Sequence, residues 1–100
     1  MIPQVHTVAE AKHALSSCKF GAKNNGTRSA PPARYLPGIS DTLHDPSLTF
    51  WESLNQQAAV IIQLESREGV QNLDAVLTEC GEHIDACFLG SLDLRASMVR

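Results

Sequence analysis

The sequence has 100 residues, a formal net charge of −3 and 43% hydrophobic residues, which is ordinary for one small globular domain. No basic excess points to nucleic acid, and the longest apolar stretch, residues 58–62, is too short to cross a bilayer. Since the amino terminus also lacks the apolar core of a signal peptide, we expect a cytoplasmic protein.

The three cysteines argue against both a disulfide framework and structural zinc. Cys18, Cys80 and Cys87 are odd in number, lie far apart and never occur as Cys-x-x-Cys. In a cytoplasmic chain they are expected to be reduced thiols that are mostly buried.

The first elements in chain order are a strand and a helix. Residues 1–5 are predicted to be the end of a strand, and Thr7 with Glu10 forms the pattern of a capping box that opens a helix. Apolar residues then recur at helical spacing: Val8, Ala11, Leu15 and Cys18. We expect the helix to end near Phe20 and Gly21, where glycine favours a left-handed cap.

Residues 21–46 are predicted to be a long irregular loop, because asparagine, glycine and proline interrupt every pattern there. A loop of more than about fifteen residues in a compact domain is usually functional or disordered. Four residues in or just before the loop give it a basic character: Lys19, Lys23, Arg28 and Arg34. They leave two interpretations open, which are contact with an anionic substrate and simple solvation.

The second half of the chain predicts a parallel sheet. A short helix is expected over 48–57, followed by a nearly continuous apolar strand over 58–64, as in strands buried on both faces. An amphipathic helix follows, capped by Ser66 and ended by Gly81, and 84–89 is the next strand. The alternation of strands and helices indicates an α/β fold.

The strongest functional signal is a pair of carboxylates that follow two predicted strands. Glu65 ends the segment Gln63-Leu64-Glu65, and Asp93 ends Gly90-Ser91-Leu92-Asp93. Because parallel strands end at the same edge of a sheet, both carboxylates are expected to converge there and form a site for a hard divalent cation. Taken alone, an acidic residue in such a position is more often a helix cap or a solvated group.

The chain resembles the HpcH/HpaI aldolase (aldolase/citrate lyase) family over residues 1–100. The resemblance is carried by Ile2-Pro3-Gln4-Val5, Gly26-Thr27-Arg28-Ser29, Gln63-Leu64-Glu65 with Gly69-Val70-Gln71-Asn72-Leu73-Asp74, and Gly90-Ser91-Leu92-Asp93-Leu94. It implies a TIM (β/α)8 barrel that uses Mg, Mn or Co to cleave or form carbon–carbon bonds next to a pyruvate unit, or to decarboxylate oxaloacetate. Two stretches, Gly90-Ser91-Leu92-Asp93 and Gly26-Thr27-Arg28-Ser29-Ala30-Pro31-Pro32, are more similar to the fungal branch that includes macrophomate synthase.

The resemblance also implies roles for individual residues. Glu65 and Asp93 match the metal ligands, and Gln63 matches a glutamine that contacts the substrate. The backbone amides of Leu92 and Asp93 match those that receive the substrate carboxylate. The implied partner is a small 2-oxo acid that reacts through a metal-stabilised enolate. A homo-oligomer is implied for the full-length family, with no nucleic acid or membrane partner.

Departures from the family pattern shape the remaining expectations. Ser91 replaces a proline and Arg95 a serine, which leaves the substrate choice open. The family's histidine base and arginine belong to earlier strands, so no catalytic residue is assigned in this chain. We therefore expect a fragment, about strands 4 to 6 of the barrel, that is inactive in isolation. The alternative is a non-catalytic α/β module that associates through open sheet edges such as 84–89.

Overall fold

The computed structural model describes residues 1–21, 26–29 and 47–99. Its elements are α1 (Val8–Cys18), α2 (Phe50–Gln57), β1 (Ile61–Leu64), α3 (Arg67–Gln71), α4 (Leu73–Cys80), a 3-10 turn (Gly81–His83), β2 (Ala86–Leu89) and α5 (Ser91–Met98). They divide into two compact units, one made of Met1–Leu15 with the chain from Ala59 onward, the other of Ser16–Ala58. Most of the predicted loop, including Lys23 and Arg34, lies outside the described residues. Within the described ranges, no helix has the length and apolar character needed to span a membrane.

The first unit is built on a small parallel sheet, as predicted. β1 pairs in parallel with β2, in a register that places Ile61 opposite Ala86 and Leu64 opposite Leu89. On its other side, β1 pairs with Ile2 through a single parallel bridge to Ile62. The predicted strand over 1–5 is thus reduced to one bridge, and β1 is the central strand.

The core of this unit lies under β1. Ile62 and Leu64 are buried, with Ile62 0% exposed, while Ile61 and Gln63 are half-buried, so the two faces of the strand differ. The buried apolar side chains of the unit are Val5, Ala11, Leu15, Val60, Ile62, Leu64, Val76 and Cys80. The sheet therefore has one buried face and one face that is less covered.

Three helices begin where the sequence places a capping residue. Thr7 and Glu10 form the predicted capping box, with Glu10 N–H donating to Thr7 Oγ1 at 3.2 Å and Thr7 N–H to Glu10 Oε2 at 3.3 Å. Thr49 and Glu52 form a second box at α2. The Ser66 hydroxyl accepts from the Gly69 N–H at 3.0 Å and caps α3 as predicted.

The predicted helix after β1 is wrong in one respect, because it is broken into α3 and α4. The break lies at Asn72, whose side chain leaves the helix surface to donate to the carbonyl of His6 at 2.7 Å. The apolar stripe expected across the break is therefore divided: Val76 is buried, whereas Val70 and Leu77 are exposed. The end of α1 also differs, since the helix stops at Cys18 rather than near Gly21.

β2 is an exposed edge strand. All four of its residues are exposed, including Phe88 at 50% and Leu89 at 60%. The expectation of mostly buried thiols is accordingly met by Cys80, but it is wrong for Cys87, which lies on β2, and Cys18 is only half-buried. An apolar edge strand of this kind is open to pairing with another chain.

The second unit is held together by polar contacts with backbone groups. Asn55 bonds both backbone groups of Phe20, accepting from its N–H at 2.8 Å and donating to its carbonyl at 3.1 Å. The Lys19 ammonium, only 9% exposed, donates to the carbonyls of Asn55 and Ala58 at 2.6 and 2.8 Å, at the end of α2. Lys19 is thus a helix-capping residue, which corrects its assignment to a basic loop that meets an anion.

Replacement of Ile62 tests the role of β1 as the centre of the core. Ile62→Val should lower the free energy of unfolding by about 1 kcal/mol, because it removes one fully buried methylene without breaking the sheet. Val99→Ala is the matched control: Val99 is 79% exposed, and its truncation should change stability by less than about 0.5 kcal/mol. Urea denaturation followed by circular dichroism measures both, and equal effects would contradict the assignment of the core.

Candidate functional site

The carboxyl ends of β1 and β2 are aligned at one edge of the sheet. Glu65 follows β1 directly, Gly90 follows β2, and the Gly90 N–H donates to the Leu64 carbonyl at 3.1 Å. The ladder thus extends past the last pair of strand residues and brings Glu65 beside Gly90. In parallel sheets this edge is where ligands bind.

The Glu65 side chain lies across Gly90. A Cβ atom built on Gly90 would stand 2.5 Å from both Cγ and Oε1 of Glu65, so any other residue at position 90 would force the glutamate side chain to move. The other carboxylate oxygen, Oε2, accepts a hydrogen bond from the backbone N–H of Gln4 at 2.8 Å. The half-buried carboxylate is therefore held between the N-terminal segment and the end of β2.

Asp93 lies in the first turn of α5. Gly90 is the N-cap of this helix, and the Leu94 N–H donates to the Gly90 carbonyl at 3.0 Å. The three amides before Leu94, including those of Leu92 and Asp93, thus precede the first bond of the helix ladder. Their residues are exposed, Leu92 by 82%. Asp93 and the first three amides of α5, which have no partners in the helix ladder, thus lie in the helix turn that follows the carboxyl end of β2. Glu65 follows the carboxyl end of β1 at the same edge of the sheet.

Gln63 shares a face of β1 with Glu65, because side chains two residues apart point to the same side of a strand. It is half-buried, and both of its backbone groups are used by the sheet: its N–H donates to the Ile2 carbonyl at 2.8 Å, and its carbonyl accepts from the Val5 N–H at 3.2 Å. The sheet thus fixes the backbone of Gln63, and its side chain lies on the same face as the glutamate.

The oxygen donors suit a cation that keeps part of its hydration shell. Among residues 1–21, 26–29 and 47–99, no group of three or more His, Cys, Asp or Glu is placed to hold a metal ion. Mg²⁺ in proteins is commonly bound by one or two carboxylates, with water and substrate oxygens completing six ligands. Glu65 and Asp93 fit that donor set. A shared ion between them stays a prediction.

Two residues at this end of the sheet make contacts that the sequence did not predict. Gln4 contributes its backbone N–H to Glu65, a contact that side-chain patterns do not encode. His6 is half-buried, and its Nδ1 lies 2.5 Å from the Ser66 hydroxyl. The partners in each contact, Gln4 with Glu65 and His6 with Ser66, are about sixty positions apart in sequence, so only the tertiary structure brings them together.

Parallel strands joined by helices, with acidic residues just beyond the strand ends, define an α/β unit of the kind that binds ligands at its carboxyl edge. The family model for HpcH/HpaI aldolase/citrate lyase matches residues 1–100. This chain therefore belongs to the HpcH/HpaI aldolase/citrate lyase family, a family of metal-dependent class II aldolases and lyases.

Curated relatives and a crystal structure agree with this membership. The 2-keto-3-deoxy-L-rhamnonate aldolases of Klebsiella pneumoniae subsp. pneumoniae and Salmonella newport are each 31% identical to the chain over 101 aligned positions, which cover 98% of it and 34% of theirs. An HpcH/HpaI aldolase/citrate lyase family protein from Burkholderia cenocepacia J2315 matches with a TM-score of 0.73 and 26% identity, over 96% of this chain and 35% of that one. The chain thus spans about a third of the length of these relatives. The expected likeness to the fungal branch stays a prediction.

Gly90→Ala tests the packing of Glu65 against Gly90. The added methyl group should lower the free energy of unfolding by roughly 1 to 3 kcal/mol, because it overlaps the glutamate side chain. In a Glu65→Ala background most of this cost should disappear, since the overlapping atoms are gone. Urea denaturation of the unmodified chain, the two single variants and the double variant gives the coupling free energy between Glu65 and position 90.

Gly81→Ala is the matched control for that cycle. A Cβ atom there would meet Leu77 at an ordinary 3.7 Å, so stability should stay equal or rise slightly. An equal cost of Gly90→Ala with and without Glu65 would show that the two residues do not pack as described.

Proposed function

We propose that this chain carries the metal and substrate-carboxylate part of a carbon–carbon lyase site that acts on 2-oxo acids, as a pyruvate-type aldolase or an oxaloacetate decarboxylase. The main support is the placement of the Glu65 carboxylate against Gly90, the residue that starts the helix carrying Asp93. The relatives named as 2-keto-3-deoxy-L-rhamnonate aldolases support the same class of chemistry.

Each proposed site residue has a separate role. Glu65 and Asp93 hold a divalent cation, Mg, Mn or Co, which when bound acts as a Lewis acid toward the 2-oxo acid and stabilises its enolate. The amides of Leu92 and Asp93 donate to the substrate carboxylate, favoured by the positive end of the α5 dipole. The Gln63 side chain, on the same face as Glu65, donates a hydrogen bond that orients the substrate.

We propose that these 100 residues bind a cation and a 2-oxo acid but do not catalyse its reaction. By the resemblance, this chain corresponds to about strands 4 to 6 of the barrel. The base and the arginine that faces the enolate belong to earlier strands. A homo-oligomer and a cytoplasmic location belong to the same proposal.

Metal titration tests the proposal directly. Isothermal titration calorimetry with Mn²⁺ should give binding at one site, and Glu65→Gln or Asp93→Asn should weaken it at least about tenfold, because each removes a charged ligand. Glu65→Gln retains an oxygen that can accept from the Gln4 N–H, so the fold should survive the change.

The chain offers matched acidic controls for this titration. Glu79 and Glu82 are exposed and lie in the last turn of α4 and in the 3-10 turn before β2. Glu79→Gln and Glu82→Gln should leave Mn²⁺ affinity within about twofold, since both residues precede β2 and so lie on the side where that strand begins, opposite the carboxyl edge. Equal losses in all four variants, or no Mn²⁺ binding by the unmodified chain, would contradict a site at Glu65 and Asp93.

A second candidate function is non-catalytic association through the edge of the sheet. It is favoured by the exposure of β2, with Phe88 at 50% and no strand paired to its outer side among the described residues. Unpaired backbone groups beside apolar side chains favour the addition of a strand from a partner.

Sedimentation velocity distinguishes this candidate from the lyase site. If β2 mediates association, Phe88→Asp should convert the associated species to monomer, because a buried carboxylate at the strand pair is strongly unfavourable. Leu77→Asp adds the same charge at an exposed position of α4 and should leave association unchanged. Dissociation on addition of EDTA would instead tie association to the metal and count against this candidate.

A further inference from the structure

The N-terminal segment departs from regular pairing with β1 at Gln4. In a parallel ladder, every second residue of a strand bonds the same neighbour. Ile2 follows this pattern, with its N–H donating to Ile61 and its carbonyl accepting from Gln63, both at 2.8 Å. The next donor to Gln63 should be Gln4, but the bond comes from Val5 at 3.2 Å. The segment thus has one extra residue, a β-bulge, which removes the Gln4 N–H from the ladder.

The released N–H is directed at Glu65 by an unusual backbone conformation. Gln4 has φ = 50°, and among the described residues it is the only non-glycine residue with positive φ. Glutamine rarely adopts this left-handed region, and such strained residues are concentrated at functional sites. Its N–H donates to Glu65 Oε2 at 2.8 Å, while its side chain is exposed to solvent. The contact therefore depends on the backbone and not on the glutamine side chain.

We propose that the Gln4 bulge is a positioning device that presents Glu65 to the cation through a single oxygen. This inference rests on the proposed function, because it concerns the ligand assigned there. The Gln4 N–H occupies Oε2 on one side, while Oε1 lies against Gly90, on the side of the helix that carries Asp93. The amide of Gln4 thus fixes the rotation of the carboxylate and leaves Oε1 on the side of Gly90, the N-cap of α5.

Substitutions at Gln4 separate backbone conformation from side-chain chemistry. Glycine and asparagine accept positive φ readily, alanine less so, and β-branched valine least. Gln4→Gly and Gln4→Asn should therefore bind Mn²⁺ like the unmodified chain in calorimetry. Gln4→Val should bind about tenfold more weakly, with Gln4→Ala between them, because the N–H turns away from Glu65 as φ becomes negative. If Gln4→Val does not fold, Gln4→Ala supplies the comparison with Gln4→Gly.

Two outcomes in the titration would overturn the proposal. One is equal Mn²⁺ affinity in all variants, which would mean that the amide does not position the ligand. The other is an equal loss in Gln4→Gly and Gln4→Val, which would assign the effect to the missing glutamine side chain.

A metal-free measurement keeps this proposal separate from the proposed function. In the absence of metal, the carboxyl carbon resonance of Glu65 and the amide proton resonance of Gln4 report the contact by NMR. Both should move in Gln4→Val and stay in place in Gln4→Gly. If the unmodified chain does not bind Mn²⁺, the proposed function fails, and the resonances alone decide whether Gln4 positions Glu65. Unchanged resonances in Gln4→Val would overturn the positioning role of Gln4.

Discussion

The parallel pairing of β1 with neighbours on both sides is the constraint on which the rest of the first unit depends. β1 has only four residues, yet it bonds the Ile2 segment on one side and β2 on the other, while Ile62 and Leu64 fill the core below it. Because both pairings are parallel, all three segments end at the same edge. The direction of the chain thus brings Gln4, Glu65 and Gly90 together without any of them being adjacent in sequence.

The predictable part of the fold follows from local signals. Capping at Thr7 and Ser66 depends on side chains within three or four positions, and the apolar segment before Glu65 has the composition of a buried strand. The break at Asn72 was not predictable, because Asn72 leaves the helix to bond a carbonyl 66 residues earlier in the chain. Periodicity extends a helix through such a position, whereas tertiary hydrogen bonding interrupts it.

The candidate site shows the same division. The proximity of Glu65 to Gly90, at the end of β2, follows from strand direction alone, since parallel strands place their carboxyl ends together. The contacts that hold the carboxylate do not. Gln4 carries no glycine or asparagine signal for positive φ, and the need for glycine at position 90 appears only when the Glu65 side chain is seen across it. Sequence patterns therefore identify the candidate carboxylate, while backbone geometry determines how that carboxylate is oriented.

The two acidic residues contribute to the proposed site in different ways. Glu65 is half-buried and already restrained by Gln4 and Gly90, so it loses little side-chain entropy when a ligand binds. Asp93 is exposed in the first turn of α5, where the helix dipole favours a negative charge, and it retains more rotameric freedom. A cation shared by both would therefore meet one pre-organised ligand and one that becomes ordered on binding. Since Gly90 is the N-cap of α5 and also packs against Glu65, the ordering of Asp93 takes place in a helix whose first residue follows the strand end beside Glu65.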